Sequence, residues 1–262
     1  MVWGECMEKS DYIAVFDSGV GGISVLRHLR QALPQERFLY YGDSANAPYG
    51  SRPAEVVRAL TLSAVARLRQ EAPIKALVVA CNTATATSIE ALREAYPDLI
   101  VVGIEPALKV AADHFPGGRI GVMATPVTLR EEKFDHLLHR FETGCSIVKI
   151  PAPGLVPLIE QGKVYAPETL ALLHRLLDPY RGKLDALVLG CTHFPFAAKA
   201  ISRVLGGEVA LLEGGGGTAR ETRRRLTEAN LLYDGPGEVL IRNSSPDPEM
   251  IRLSYDRLNQ ER

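Results

Sequence analysis

The sequence predicts an α/β protein made of two pseudo-symmetric domains, each with a mainly parallel sheet, and an active site in the cleft between them. Three observations lead there. Short apolar runs alternate with amphipathic stretches along the chain, as repeated strand–helix units require. The runs are rich in Val, Ile and Leu with little polar alternation, the pattern of strands covered on both faces. Segments about 110 residues apart also resemble one another.

In chain order, Tyr12–Phe16, Arg37–Tyr41, Ala76–Ala80 and Ile100–Gly103 read as buried strands, followed by Ile120–Met123, Ser146–Ile150, Ala186–Leu189 and Val209–Leu212. Each is four or five mostly apolar residues long. Helical patterns separate them: Ile23–Ala32, Pro53–Glu71, Thr85–Ala95, Pro106–His114, Thr128–Phe141, Pro167–Pro179 and Thr218–Leu231. Proline opens three of these, where its missing N–H costs nothing. The repeat is clearest at strand ends. Ile13-Ala-Val-Phe-Asp17-Ser18 recurs 107 residues later as Ile120-Gly-Val-Met-Ala124-Thr125. Leu77-Val-Val-Ala-Cys81-Asn82-Thr83 recurs 110 residues later as Leu187-Val-Leu-Gly-Cys191-Thr192-His193. The expected first domain is 1–103 with 214–262, and the second is 104–213.

Composition removes several function classes. Of 262 residues, 46% are hydrophobic and 23% charged, near the averages of globular chains. Thirty Lys and Arg against 31 Asp and Glu give a charge of −1, without the basic excess of a nucleic-acid binder. Runs such as Ala76–Cys81 fall far short of the roughly 20 residues that span a bilayer, so no membrane partner is expected. Met1–Ser10 shows no apolar signal-peptide core, which points to the cytoplasm. The four cysteines, Cys6, Cys81, Cys145 and Cys191, are then expected to be thiols. They are too isolated from one another for a zinc site. His136 and His139 share a helical pattern but have no third ligand, so no metal is expected.

The chemistry should lie where strands end. Cys81 and Cys191 each follow a buried strand and precede a small polar turn opening a helix. There the free N–H groups and the helix dipole favour a thiolate. An inert buried thiol is the plain alternative for one such cysteine; two at matching strand ends argue against it. Cys6 and Cys145 lack these surroundings. Asp17-Ser-Gly-Val-Gly-Gly22 also follows a strand, and its glycines can turn backbone N–H groups toward an anion. It lacks the dinucleotide spacing and any phosphate-loop lysine. Asp17 itself is a carboxylate at a buried strand end, where it needs a partner. Tyr41-Gly-Asp-Ser-Ala-Asn-Ala-Pro-Tyr49-Gly50 reads as a loop able to offer N–H groups to a carboxylate. Gly214–Gly217 reads as a hinge or, less favourably, a phosphate cradle. Glu160 ends an apolar segment, Val156-Pro-Leu-Ile-Glu160.

If the two halves close on one another, Cys81 and Cys191 meet a ligand from opposite sides. One thiolate removes a proton from carbon and the other thiol returns one to the opposite face, inverting a stereocentre. Acyl transfer would leave one thiol idle, and pyridoxal chemistry needs a lysine that none of these turns contains. No cofactor is expected.

Five motifs, in order, resemble the glutamate racemase family: Phe16-Asp-Ser-Gly-Val-Gly-Gly, Tyr41 to Gly50, Val79-Ala-Cys-Asn-Thr-Ala, Gly103-Ile-Glu-Pro-Ala and Leu189-Gly-Cys-Thr-His-Phe-Pro. The resemblance spans Tyr12 to about Arg220. It implies cofactor-independent interconversion of L- and D-glutamate, supplying D-glutamate for peptidoglycan. It implies Cys81 and Cys191 as the acid–base pair, with Asp17 and His193 assisting them. Asp17, Ser18, Tyr49, Gly50, Asn82, Thr83, Thr125, Thr192 and His193 become the expected substrate contacts, and Glu160 matches an acidic residue near the second thiol in some members. Two departures stand out: Ala152-Pro153 where Cys-Pro is usual, and Glu213-Gly-Gly-Gly-Gly217 where Ser-Gly is common. The lead before Tyr12 gives no sign of the extension with which some members bind an activator. A racemase for aspartate or another acidic amino acid, and a non-catalytic amino-acid-binding module, remain alternatives. The oligomeric state is left open, a homodimer included.

Overall fold

Nearly every apolar run named above becomes a strand, and the helices between them follow the amphipathic stretches. The structure, a computed structural model, describes residues 7–141 and 144–259, so Cys6 and most of the lead before Tyr12 lie outside the described residues. β1 (Tyr12–Asp17) leads to α1 (Ile23–Ala32), β2 (Arg37–Gly42) to α2 (Ala54–Glu71), β3 (Ile74–Val79) to α3 (Asn82–Ala95), and β4 (Ile100–Gly103) to α4 (Leu108–His114). A second run follows: β5 (Arg119–Ala124), α5 (Glu132–His139), β6 (Ser146–Pro151), α6 (Leu155–Glu160), α7 (Pro167–Leu177), β7 (Ala186–Gly190), α8 (Ala198–Leu205) and β8 (Ala210–Glu213). The chain closes with α9 (Gly215–Glu228), β9 (Glu238–Asn243) and α10 (Pro248–Asn259).

The strands form two sheets, ordered β4-β3-β1-β2-β9 and β8-β7-β5-β6, and every pairing described is parallel. The first four strands of one sheet match the four of the other, and so does their register. Val15 lies opposite Val78 across β1 and β3, and Val122 opposite Val188 across β5 and β7. These positions are offset by the same 107 and 110 residues that relate the two sequence repeats. β9 has no counterpart and extends the first sheet only.

Both sheets are covered on both faces. Along β1, Tyr12, Ala14 and Phe16 pack with Val57 and Val65 of α2 and Leu92 of α3. Ile13 and Val15 point the other way, toward Ile23 and Leu26 of α1, Leu226 of α9 and Leu258 of α10. In the second sheet Leu187 and Leu189 join Leu155, Leu173 and Ile201 from α6, α7 and α8, while Val122 and Val188 join Leu108 and Phe134 from α4 and α5. Each large side chain buried this way contributes roughly 1.5–3 kcal/mol.

The structure departs from the sequence reading in a few places. The stretch Thr128–Phe141 is broken: a 3₁₀ turn covers Thr128–Arg130, Glu131 is extended, and α5 starts after it. Gly214–Gly217 is not a hinge loop, because Gly215 to Gly217 form the first turn of α9. A Cβ on Gly214 would lie 2.2 Å from the Glu105 carbonyl oxygen, and one on Gly215 2.5 Å from the His28 ring. The glycines let α9 press against α1 and against the first crossover between the sheets. Among the described residues no helix is long and apolar enough to cross a membrane.

A buried ion pair ties the ends of the first sheet together. Lys75 and Glu36 have side chains 0% and 1% exposed; Lys75 also donates to the Lys9 and Leu231 carbonyls, and Glu36 accepts from the Tyr233 N–H at 2.9 Å. Removing one partner of such a pair strands the other charge in the core. Glu36→Ala is therefore expected to lower stability by roughly 3–5 kcal/mol in urea unfolding; a loss below about 1 kcal/mol, the worth of an exposed pair, would contradict this account.

Candidate active site

The site is built where β1, β3, β5 and β7 end. Cys81 is extended (φ −72°, ψ 121°) and caps α3, its Sγ accepting the Ala84 N–H at 3.4 Å. The cap starts α3 at Asn82, three residues before the amphipathic pattern begins. Ser18 Oγ lies 3.5 Å from the same sulfur. The capping geometry favours a thiolate, as expected, but two stronger effects oppose it. Burial and the nearby Asp17 carboxylate together push the Cys81 thiol up to about 12. It rests protonated at neutral pH.

Cys191 sits in a different environment. Its Sγ is 3.8 Å from His193 Nδ1, and His193 Nε2 is 2.9 Å from Glu160 Oε1. Burial works against an imidazolium here, yet the hydrogen bonds to Cys191 and Glu160, with their negative charge, hold His193 up to about 10. Burial likewise works against the Glu160 carboxylate, but His193 outweighs it and holds Glu160 below its ordinary range. Carboxylate, imidazole and sulfur form one line.

The glycine turn explains how the two ends meet. A Cβ on Gly19 would lie 2.3 Å from Glu160 Oε1, and one on Gly21 2.4 Å from His193 Nδ1 and 2.6 Å from Thr192 Oγ1. The anions this turn faces are the protein's own. Gly19 N–H donates to Asp17 Oδ1 at 2.9 Å, and Val20 N–H to Glu160 Oε1 at 3.5 Å. Thr192 Oγ1 donates to Asp17 Oδ2 at 3.0 Å, and Ser24 Oγ to the Thr192 carbonyl at 3.0 Å, so the turn is tied to the opposite strand end. Asp17 is completely buried, which raises its pKa, with His193 and these donors opposing the rise.

A cavity of about 410 Å³ opens between the strand ends. Both Cys81 and Cys191 line it, together with Ser18, Tyr49, Gly50, Asn82, Thr83, Thr125, Thr192 and His193. Two expected site residues are not on its wall. Asp17 stands behind, bonded to Thr192, and Glu160 stands behind His193. The loop from Tyr41 is braced by a residue that the sequence reading passed over: Asp43, 3% exposed, accepts from Tyr49 Oη at 2.6 Å and from Asn46 Nδ2 at 3.0 Å. Burial, then Asp43, raises the Tyr49 pKa, so its hydroxyl remains a donor. Thr128 was missed as well. Its hydroxyl is 2.9 Å from Thr125 Oγ1 and 3.2 Å from Thr83 Oγ1, a cluster of three hydroxyls spanning the cleft. Arg130, also unpredicted, lines the cavity. The signals for Asp43 and Arg130 were visible only as a charge inside a small-residue loop and a charge just past a strand end. Among the described residues no three His, Cys, Asp or Glu side chains are grouped as a metal site.

Comparison with known proteins places this geometry. The model of a family described as Asp/Glu/hydantoin racemase matches residues 19–222. A glutamate racemase of Clostridium botulinum (strain Okra) is 47% identical over 250 residues, covering 94% of this chain and 96% of that one. Among solved structures, the glutamate racemase of Thermus thermophilus in complex with β-chloro-D-alanine superposes with a TM-score of 0.81 at 37% identity, covering 97% of this chain and 94% of that chain. The Escherichia coli glutamate racemase in complex with L-glutamate and the activator UDP-MurNAc-Ala gives 0.82 at 31% identity, covering 95% of each chain.

The line from Glu160 to Cys191 yields a pH-dependent prediction. A group whose pKa rises on folding stabilises the fold below its unfolded value and loses that contribution as pH climbs through the folded one. For His193 the contribution is full below about pH 6.5 and is lost through about 10. Glu160→Gln should therefore cost about 1.5–3 kcal/mol near pH 6 and almost nothing above the folded value. Urea unfolding at both pH values checks this; a cost independent of pH would contradict it.

Proposed function

The chain belongs to the Asp/Glu/hydantoin racemase family, and we propose that it interconverts L- and D-glutamate by passing the α-proton between Cys81 and Cys191. One observation carries the reading: two thiols from equivalent strand ends line a single cavity of about 410 Å³, one on each lobe. The two lobes are the domains 1–103 with 214–262 and 104–213.

The steps balance without a cofactor. A thiolate on one side takes the α-proton, leaving the electron pair on carbon; the thiol opposite gives its proton to the other face. The enzyme ends with its thiol and thiolate exchanged. With L-glutamate, Cys191 is the base and Cys81 the acid, and the protonated resting state of Cys81 suits that direction. His193 accepts and returns the proton of Cys191, held by Glu160. Asp17 sets the environment of Cys81 and orients Thr192. It acts from behind the wall and not as a ligand to substrate.

Ligand groups follow from the wall. Asn82 Oδ1 is buried without a hydrogen-bond partner, an acceptor for the substrate ammonium. The Thr83 and Thr125 hydroxyls, backed by Thr128, and the Tyr49–Gly50 turn supply donors for carboxylates. Arg130 adds a cation suited to a dicarboxylate. The D-glutamate formed is used for peptidoglycan in the cytoplasm.

Polarimetry of L-glutamate with purified protein and no added cofactor tests the activity. Cys81→Ser and Cys191→Ser test the roles. Both should lose racemisation by at least about the 10²–10⁴-fold typical of acid–base groups. With 3-chloroglutamate, which loses chloride after α-proton removal, only the base is needed. Cys191→Ser should still eliminate from the D form and Cys81→Ser from the L form. Loss of both eliminations in both variants, or a dispensable cysteine, would refute the two-thiol reading.

A further inference from the structure

Arg257, near the end of α10, is 5% exposed. Arginine is almost never buried so deeply unless paired, yet among the described residues it makes no ion pair. Its Nη2 donates to the Ile159 carbonyl at 2.8 Å, and its guanidinium lies 4.4 Å from the centre of the Phe196 ring. Its Nη1 is buried without a hydrogen-bond partner.

Both contacts fall beside the Cys191 line. Ile159 precedes Glu160 in the last turn of α6, and its carbonyl accepts the Gly162 N–H at 3.0 Å as well as the Arg257 guanidinium. Phe196 belongs to the 3₁₀ turn that begins just after His193, and its N–H donates to the His193 carbonyl at 3.1 Å. One guanidinium therefore grips the segment that carries Glu160 and the segment that carries His193. Cys81 shares none of this support; its partners, Ser18 and Ala84, belong to the other lobe.

We propose that Arg257 is a positioning residue for one thiol only: it clamps the end of α6 against the turn after His193, and so holds the Glu160–His193 pair in place to serve Cys191. Stability alone does not account for it. A methionine or leucine would pack on Phe196 without stranding a buried donor, and an unpaired buried donor is the kind of cost retained where function requires it. The arrangement also makes the C-terminal helix, which touches no wall of the cavity, part of the machinery for one half of the reaction.

This inference rests on the two-thiol reading, and its test separates the two. Glutamate itself cannot reveal a one-sided defect, because an equilibrium constant of unity forces equal kcat/KM in both directions. Elimination from 3-chloroglutamate is irreversible and uses one base per enantiomer. Arg257→Met should slow elimination from the L form by about 10–100-fold, as expected for a displaced catalytic group, and leave the D form unchanged. Arg257→Lys, which keeps the charge and loses the second arm, should fall between; it carries the test if the methionine variant does not fold. Iodoacetamide labelling mapped by peptide mass should show an altered rate at Cys191 and the same rate at Cys81. Equal losses with both enantiomers, or no loss, would overturn the proposal. Wild-type protein that eliminates from neither enantiomer would instead refute the two-thiol reading. The labelling rates would then decide the positioning claim: a change confined to Cys191 supports it, and equal or no change overturns it.

Discussion

Between Gly21 and His193 there is no room for a methyl group. The same is true between Gly19 and Glu160, and between Gly22 and Asp17, where an added Cβ would come within 2.6 Å of the Asp17 Cβ. The first two clearances fix how closely the turn after β1 can approach the ends of β7 and α6, the third keeps that turn tight, and the rest of the site depends on that approach. It brings Thr192 to Asp17 and Val20 to Glu160. It sets the two thiol-bearing turns on either side of a cavity large enough for an amino acid. None of these glycines has positive φ, so their role is clearance and not backbone freedom. The second sheet contributes bulk at the contact, in Thr192, His193 and Glu160, and the first contributes the absence of it.

The scaffold is symmetric and its chemistry is not. Register and strand order repeat between the sheets, and the two cysteines occupy matching positions. Yet Asp17 follows β1's core where Ala124 occupies the equivalent place on β5, and His193 stands where Thr83 does on the first lobe. Cys81 consequently rests beside a buried carboxylate and is held protonated, whereas Cys191 faces an imidazole backed by a second carboxylate. The two matching cysteine positions thus have unlike resting environments, set by a few different residues at the strand ends. On the proposed reading, a reaction whose two directions are mirror images is carried by two unlike halves. The buried Asp17 and the partly buried Glu160 are both offset by the raised His193, and Glu160 also by the nearby charge of Arg257.

Much of this was legible in the residues because buried parallel strands are written as unbroken apolar runs, and because chemistry at strand ends leaves polar residues directly after them. Asp17, Cys81, Cys191 and His193 stood out on that ground. The unread parts share a cause. β9 is an edge strand, Glu-Val-Leu-Ile-Arg-Asn, with only Ile241 fully buried, so its pattern is diluted by charge. α10 is rich in Arg, Asp and Glu and packs through a few side chains. Arg257 is buried by tertiary contact alone, which no local pattern encodes. Gly214–Gly217 misled because four glycines in a row look like a loop, while the neighbours that require them, Glu105 and His28, are distant in sequence. The helix at Thr128 was read through Glu131 because amphipathic spacing persists across the break.

The central claim is that two different thiols handle the two faces of one carbon. Proton NMR of L-glutamate turning over in D₂O tests it most directly. The thiol that donates carries solvent deuterium while the thiolate that abstracts receives the substrate proton, so D-glutamate should appear deuterated at Cα while the remaining L-glutamate keeps its α-proton through early turnover. Deuterium entering L-glutamate as fast as it enters the product would mean that one base serves both faces, and would contradict the account.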